Sequence, residues 1–189
     1  MRLSLILLLT AFSAAAQTPA SPDPRVKFKD GERYLRDLAA ALELPRDSIC
    51  RELSQYDCFS DAFRIVLGGV EPYRIRVVEP QEKASLTAPI ALDRLAMHAC
   101  TRRVEEDGKA PAAAVLFRPV KSRPDRKWKQ QTATTIYDRI LRRTPTAEET
   151  TRLVSFYDTV ARKSAATAPR DWTVLACFAV ASSLESVFY

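Results

Sequence analysis

"YDRILRRTPTAEETTRLVSFYD", residues 137–158, decides the fold class. Tyr137, Ile140 and Leu141 recur at three- and four-residue spacing, as do Leu153, Val154, Phe156, Tyr157 and Val160. A period near 3.6 puts each set on one face of a helix. Pro145 stops the first helix, and Thr146 with Glu149 opens the second as a capping box. In such a box the hydroxyl accepts a backbone N–H, and the carboxylate reaches back to the cap. The stretch therefore predicts a helical hairpin. Arg139, Arg142 and Arg143 fall on its polar side or in the last turn of the first helix. Cations there complement the helix dipole by a few tenths to about 1 kcal/mol, and the same residues could equally form an anion-binding patch.

The helical period continues on both sides of the hairpin. Residues 130–143 set Ala133 and Ile136 in line with Tyr137 and Ile140. Pro169 and Asp171 introduce a last helix over 171–188, whose "VLACFAVA" (174–181) is apolar all round. Eight residues are too few to cross a bilayer, so this helix is expected inside the core. Upstream, "TAPIALDRLAMHACTRRVEEDG" (87–108) reads as a helix capped by Thr87, with Pro89 in the first turn, Leu92, Leu95, Ala96 and Ala99 inward, and Gly108 closing it.

Tyr34, Leu35, Leu38, Ala41 and Leu42 mark a first helix ended by Pro45. A short helical piece is expected at Ser48–Leu53. Another is expected over 60–74, with Ser60 as cap, Phe63, Val66 and Leu67 on one face, and Gly68-Gly69 at its end. "YRIRVV" (73–78) alternates like a strand but has no obvious partner, and "KAPAAAVLFRPV" (109–120) reads as an apolar loop. Four glycines in 189 residues are few for a hairpin-rich protein. The expectation is an all-α domain over 31–189 with about six helices and little or no sheet. It could divide into halves, 31–108 and 130–189, joined by a basic loop, 109–129. "FRIVLGGV" (63–70) and "YDRILRRT" (137–144) share a plan, although coincidence of two similar helix ends explains them as well.

The first residues read as a leader. Arg2 is the basic n-region, "LSLILLLTAF" (3–12) the apolar h-region, and "AAA" (14–16) supplies the small residues a signal peptidase needs. Cleavage after Ala16 is expected, leaving "QTPASPDPRVKFKD" (17–30) as a Pro-rich linker. The apolar run is about half of the roughly 20 residues of a spanning helix, so no transmembrane helix is expected after cleavage. Export would bring the chain to the periplasm, the cell surface or the medium.

Export also bears on Cys50, Cys58, Cys100 and Cys177, because an even count in an oxidising compartment favours two disulfides. Three pairings are open. On one continuous helix, Cys50 and Cys58 would lie about 12 Å apart along the axis, so their bond requires a bend near "LSQYD" (53–57). Cys50–Cys58 with Cys100–Cys177 is the pairing expected.

The formal charge of +6 permits anionic partners without demanding them. Most of the concentrated charge lies in "RPVKSRPDRKWK" (118–129), where Arg118, Lys121, Arg123, Arg126, Lys127 and Lys129 surround Trp128. Cations interleaved with an aromatic suit a nucleic acid, a lipopolysaccharide or an acidic lipid surface. They suit equally a solvated connection in which Trp128 staples the chain to the next helix.

Catalytic signatures are sparse. His98 is the one histidine; it shares a helix face with Arg94 and Arg102, and the spacing of the cysteines fits neither zinc nor c-type haem. There is no Gly-x-Ser-x-Gly elbow, and a Cys–His pair would need a thiol that oxidation removes. No catalytic, metal or cofactor site is therefore assigned. A hydrolase built from carboxylates that meet only in space is not visible to sequence reading.

"YDRILRRTPTAEETTRLVSFY" and "DWTVLACFAVASSLESVFY" together resemble the C-terminal helical module of large exported planctomycete-type proteins of unknown function that accompany c-type cytochromes. Tyr137, Leu141, Arg143, Pro145, Thr146, Glu148, Glu149, Trp172 and Phe188 carry the resemblance, over about residues 130–189. It implies export and a helical module. The haem motif of those proteins is missing here, so it implies no redox role and no catalytic residue. The function expected is an exported, non-enzymatic interaction or scaffold protein with a protein partner in the envelope. The alternatives are a polyanion- or envelope-surface-binding protein using 118–129, and a hydrolase with dispersed carboxylates.

Overall fold

The structure is a computed structural model that describes residues 27–53, 55–79, 85–120 and 123–188. The expected leader, the linker up to residue 26 and Lys121 lie outside them. The fold is mostly helical: α1 (Gly31–Ala41), α2 (Ala88–Lys109), α3 (Arg126–Leu141), α4 (Ala147–Lys163), α5 (Ala168–Ala181) and a single turn, α6 (Leu184–Val187). The sheet is a two-residue ladder, β1 (Arg51–Glu52) antiparallel to β2 (Tyr56–Asp57). Both expected disulfides are present, Cys50–Cys58 with Cα atoms 5.5 Å apart and Cys100–Cys177 at 5.8 Å.

The core is built around α5. Its Trp172, Ala176, Cys177 and Ala181 are fully buried, in contact with α2, α3 and α4. Apolar residues all round a helix demand such neighbours. On the α2 side, Leu92, Leu95, Ala96, Ala99 and Cys100 are buried as expected. The alanines on both helices admit the close approach that the Cys100–Cys177 bond fixes. At one end the Tyr34 hydroxyl donates to the Ala181 carbonyl at 3.0 Å, tying α1 to the C-terminus of α5. At the other, the indole N–H of Trp172 donates to Leu153 O at 2.9 Å, and its ring meets Tyr157 and Trp128 at 5.9 and 5.7 Å.

Several boundaries differ from expectation, each for a local reason. The helix expected at Ser48–Leu53 is a 3-10 turn, Arg46–Ser48, followed by β1. Leu53 takes φ +53°, reversing the chain, which the eight-residue disulfide loop requires. Asp57 rather than Ser60 caps the next segment: its carboxylate accepts from the N–H of Phe59 and Ser60 at 3.0 and 2.6 Å. That segment is a π-helical stretch, Cys58–Phe63, continuing as turns to Gly68, rather than a helix over 60–74. "YRIRVV" closes a turn through a single bridge, Glu71 to Val77. The Thr87 hydroxyl makes no capping bond to α2, and the helix runs through Gly108 to Lys109. α3 begins at Arg126, four residues before its expected start, because the Asp125 carboxylate accepts from the Trp128 N–H at 2.7 Å. The last helix breaks at Ser182, and Ser183 caps α6 separately.

One buried carboxylate organises the α2–α3 connection. Asp107, fully buried, accepts from the N–H groups of Val115, Leu116 and Phe117 at 2.9, 2.7 and 2.8 Å. Arg103 Nε stands 2.9 Å from the same carboxylate, and the guanidinium also donates to the carbonyls of Leu42 and Glu43. A buried charge persists only when paired and hydrogen-bonded, and the Asp107 carboxylate meets that condition through its three N–H donors and the Arg103 counter-charge while holding Leu116 and Phe117 against the core.

Candidate functional site

The hairpin arginines are committed to carboxylates or to the turn. Arg139 pairs with Glu43. Arg143 forks onto Glu149 at 2.7 and 2.9 Å and onto Glu185 at 2.6 and 2.7 Å, with its guanidinium over the Tyr137 ring. These two-oxygen contacts hold the Glu149 carboxyl down at about 2, reinforced by the Thr146 N–H of the capping box, and also lower that of Glu185. They clamp α6 onto the α3–α4 turn. Arg142 supplies that turn in the left-handed conformation, φ +57°. Arg139 and Arg143 thus serve the hairpin rather than an open anion patch.

The four cysteines are all in disulfides, so no thiol is free. Cys50, Glu52 and Cys58 bring three donor atoms within 4.8 Å of one another, but the sulfurs are bonded together and Glu52 pairs with Arg94 at 3.1 Å. A metal there would need thiolates, which this oxidised pair does not provide. His98 is exposed on α2.

The basic segment divides into structural and free cations. Trp128 donates its indole N–H to Arg118 O at 3.3 Å and meets the rings of Phe117 and Trp172, so it does staple the incoming chain to α3 and α5. Lys129 lies over the Tyr157 ring, 4.7 Å from its centroid. Arg123 pairs with Asp158 at 3.1 Å. Arg118, Arg126 and Lys127 are exposed and make no ion pair among the described residues.

Two clefts flank α4. One, of about 630 Å³, lies between the basic segment and the α4–α5 turn, lined by Val120, Arg123, Tyr157, Asp158, Arg162 and small residues including Ala161 and Ala165. The other, of about 560 Å³, is mainly apolar, with Phe156, Val174 and Leu175 on its walls. Each is lined by one carboxylate, Asp158 and Asp171 respectively.

A third feature was not foreseen from sequence. Eight large apolar side chains are exposed among the described residues, and seven belong to residues 53–90: Leu53, Tyr56, Tyr73, Ile75, Val78, Leu86 and Ile90. Tyr73 is 94% exposed and Leu86 98%, so these are whole side chains in water. Arg74 and Arg76 alternate with them, exposed and without an ion pair among the described residues. No described helix is long and apolar enough to cross a membrane. Comparison with protein families, curated proteins and solved structures finds no match.

Proposed function

We propose that this chain is an exported, non-enzymatic helical interaction protein that docks an envelope protein through exposed apolar side chains around Tyr73, Ile75 and Val78. The run of exposed apolar side chains at Tyr73, Ile75 and Val78, three within six residues of one turn, carries the proposal. Such residues are ordinary on a surface when scattered, and mark an interaction site when they gather. Tyrosine and arginine together are the side chains that anchor interfaces most often. Arg74 and Arg76 among apolar neighbours call for a partner surface that is apolar and carries carboxylates. The two disulfides agree with an oxidising compartment.

The test compares the wild-type chain with a Tyr73→Ser/Ile75→Ser variant in cross-linking to envelope extract, with Arg126→Gln/Lys127→Gln as control. The expected result is a defined cross-linked protein lost only in the Tyr73/Ile75 variant. An identical cross-linking pattern for all three chains refutes the docking face.

A second role, polyanion binding at the basic segment, is favoured by the unpaired, exposed state of Arg118, Arg126 and Lys127. Its signature is retention on heparin that falls steeply with salt and is lost in an Arg118→Gln/Arg126→Gln/Lys127→Gln variant. Salt-insensitive behaviour removes it.

A further inference from the structure

We propose that the cleft between the basic segment and α4 binds a phosphomonoester between the guanidiniums of Arg123 and Arg162. The site is distinct from the docking face and from the exposed cations Arg118, Arg126 and Lys127.

Charge is the first support. Arg123 and Arg162 both line the cleft, Lys129 sits over the adjoining Tyr157 ring, and Asp158 is the single carboxylate in the lining. The walls therefore carry a surplus of positive charge. Arg162 donates only to a neutral hydroxyl, Thr159 Oγ1, at 3.2 Å, and has no anionic partner among the described residues. The Arg123–Asp158 contact is solvent-exposed on both sides, and exposed pairs of this kind are weak enough for a better anion to displace the carboxylate.

The second support is Tyr157. It is 2% exposed, lines the cleft, and its hydroxyl has no hydrogen-bond partner among the described residues. The hydroxyl itself is not sealed from solvent, so it opens to the cleft and is free to donate to a ligand there. Burial raises its pKa, and the charges of Arg123 and Asp158 act on it in opposite directions. It stays a neutral donor at physiological pH.

Geometry selects the ligand class. One guanidinium fork saturates both oxygens of a carboxylate, whereas a phosphomonoester offers three terminal oxygens. Two arginines and a phenol can share these. The floor of Ala161, Ala165, Ala166 and Pro169 leaves room for the esterified group. A volume of about 630 Å³ is within the usual range for a small-molecule site.

The experiment titrates the purified protein by calorimetry with glucose 6-phosphate, with glucose as control, and by sedimentation with phosphatidic acid/phosphatidylcholine vesicles against phosphatidylcholine alone. Saturable binding of the sugar phosphate identifies a free phosphoester as ligand. Binding of the acidic vesicles alone identifies a lipid headgroup. In either case Arg162→Gln is expected to weaken binding at least about tenfold without moving the Tm, since one charge-assisted fork is lost. Asp158→Asn, which removes the competing carboxylate, is expected to tighten binding by about threefold or more. The proposal fails if neither probe binds, or if both single variants match the wild type. It also fails if binding is lost in Arg118→Gln/Arg126→Gln/Lys127→Gln while Arg162→Gln retains it.

Discussion

Replacing Asp107 with alanine should destabilise the protein far more than replacing its partner Arg103 with methionine. The fully buried carboxylate accepts three backbone N–H groups at 2.7–2.9 Å and stands 2.9 Å from Arg103 Nε. Asp107→Ala orphans three donors and leaves a buried guanidinium without its counter-charge. Removing one partner of a buried pair costs about 3–5 kcal/mol, and a hydrogen bond to a charged group about 1.5–3 kcal/mol. These terms overlap, because Val115 is near enough to the surface for water to replace part of the loss. About 4 kcal/mol is therefore expected. Arg103→Met leaves the carboxylate with its three N–H donors and frees only the Leu42 and Glu43 carbonyls, for about 1–2 kcal/mol. Against a typical stability of about 5–15 kcal/mol, Asp107→Ala stays folded but marginal. Urea unfolding followed by far-UV circular dichroism, without reductant, gives both values. Hydrogen exchange at Val115, Leu116 and Phe117 should accelerate selectively in Asp107→Ala. Equal losses for the two variants, or a larger one for Arg103→Met, would refute the assignment of Asp107 as the organiser of this connection.

Acid should erase the contribution of Glu149. Its carboxyl is held at about 2 against an ordinary 4.5, so its stabilisation is complete above about 4.5 and is lost as pH falls towards 2. Urea midpoints of the wild type and Glu149→Gln should differ at pH 7 and converge near pH 2; a constant gap contradicts the Arg143 clamp. Loop-closure entropy predicts about 4–5 kcal/mol lost in Cys100→Ala/Cys177→Ala, whose bond spans 77 residues. The corresponding loss is about 2–3 kcal/mol for Cys50→Ala/Cys58→Ala, spanning eight. Denaturant titration should preserve that order, and its reversal would show that the long bond restrains little. Gly31→Ala should lower stability by about 1–3 kcal/mol, because a Cβ there would meet Leu67 Cδ1 and Phe59 Cε2 at 2.8 Å. An unchanged Tm would show that this contact yields freely.

What was legible in the sequence was local. The Thr146–Glu149 box involves residues three apart, and both of its bonds are present. The helix faces followed from spacing, as Leu92, Leu95, Ala96 and Ala99 show. For Cys50 and Cys58, helix geometry showed only that a bond would need a bend between them, and the turn at Leu53 supplies it. What was hidden depends on long-range packing. Asp107 looked like an ordinary polar residue beside Gly108, yet a carboxylate at a helix C-terminus opposes the dipole. That misfit was a usable signal of a compensating partner. Arg123 and Arg162 share a cleft only because α4 packs beside the chain entering α3, so no sequence window contains both. "YRIRVV" alternates as a buried edge would, and only the fold shows Tyr73 and Ile75 left in water. Asp57 displaced Ser60 as cap because its carboxylate reaches two N–H groups at once.

The central structural claim is that two crosslinks, one closing the 50–58 loop and one joining α2 to α5, hold a helical framework together. Non-reducing peptide mapping of the protein recovered from the producing cells tests this most directly. The expected map links Cys50 to Cys58 and Cys100 to Cys177, leaves no alkylatable thiol, and starts at residue 17. Free thiols, or a different pairing, on a chain that still carries residues 1–16 would contradict it.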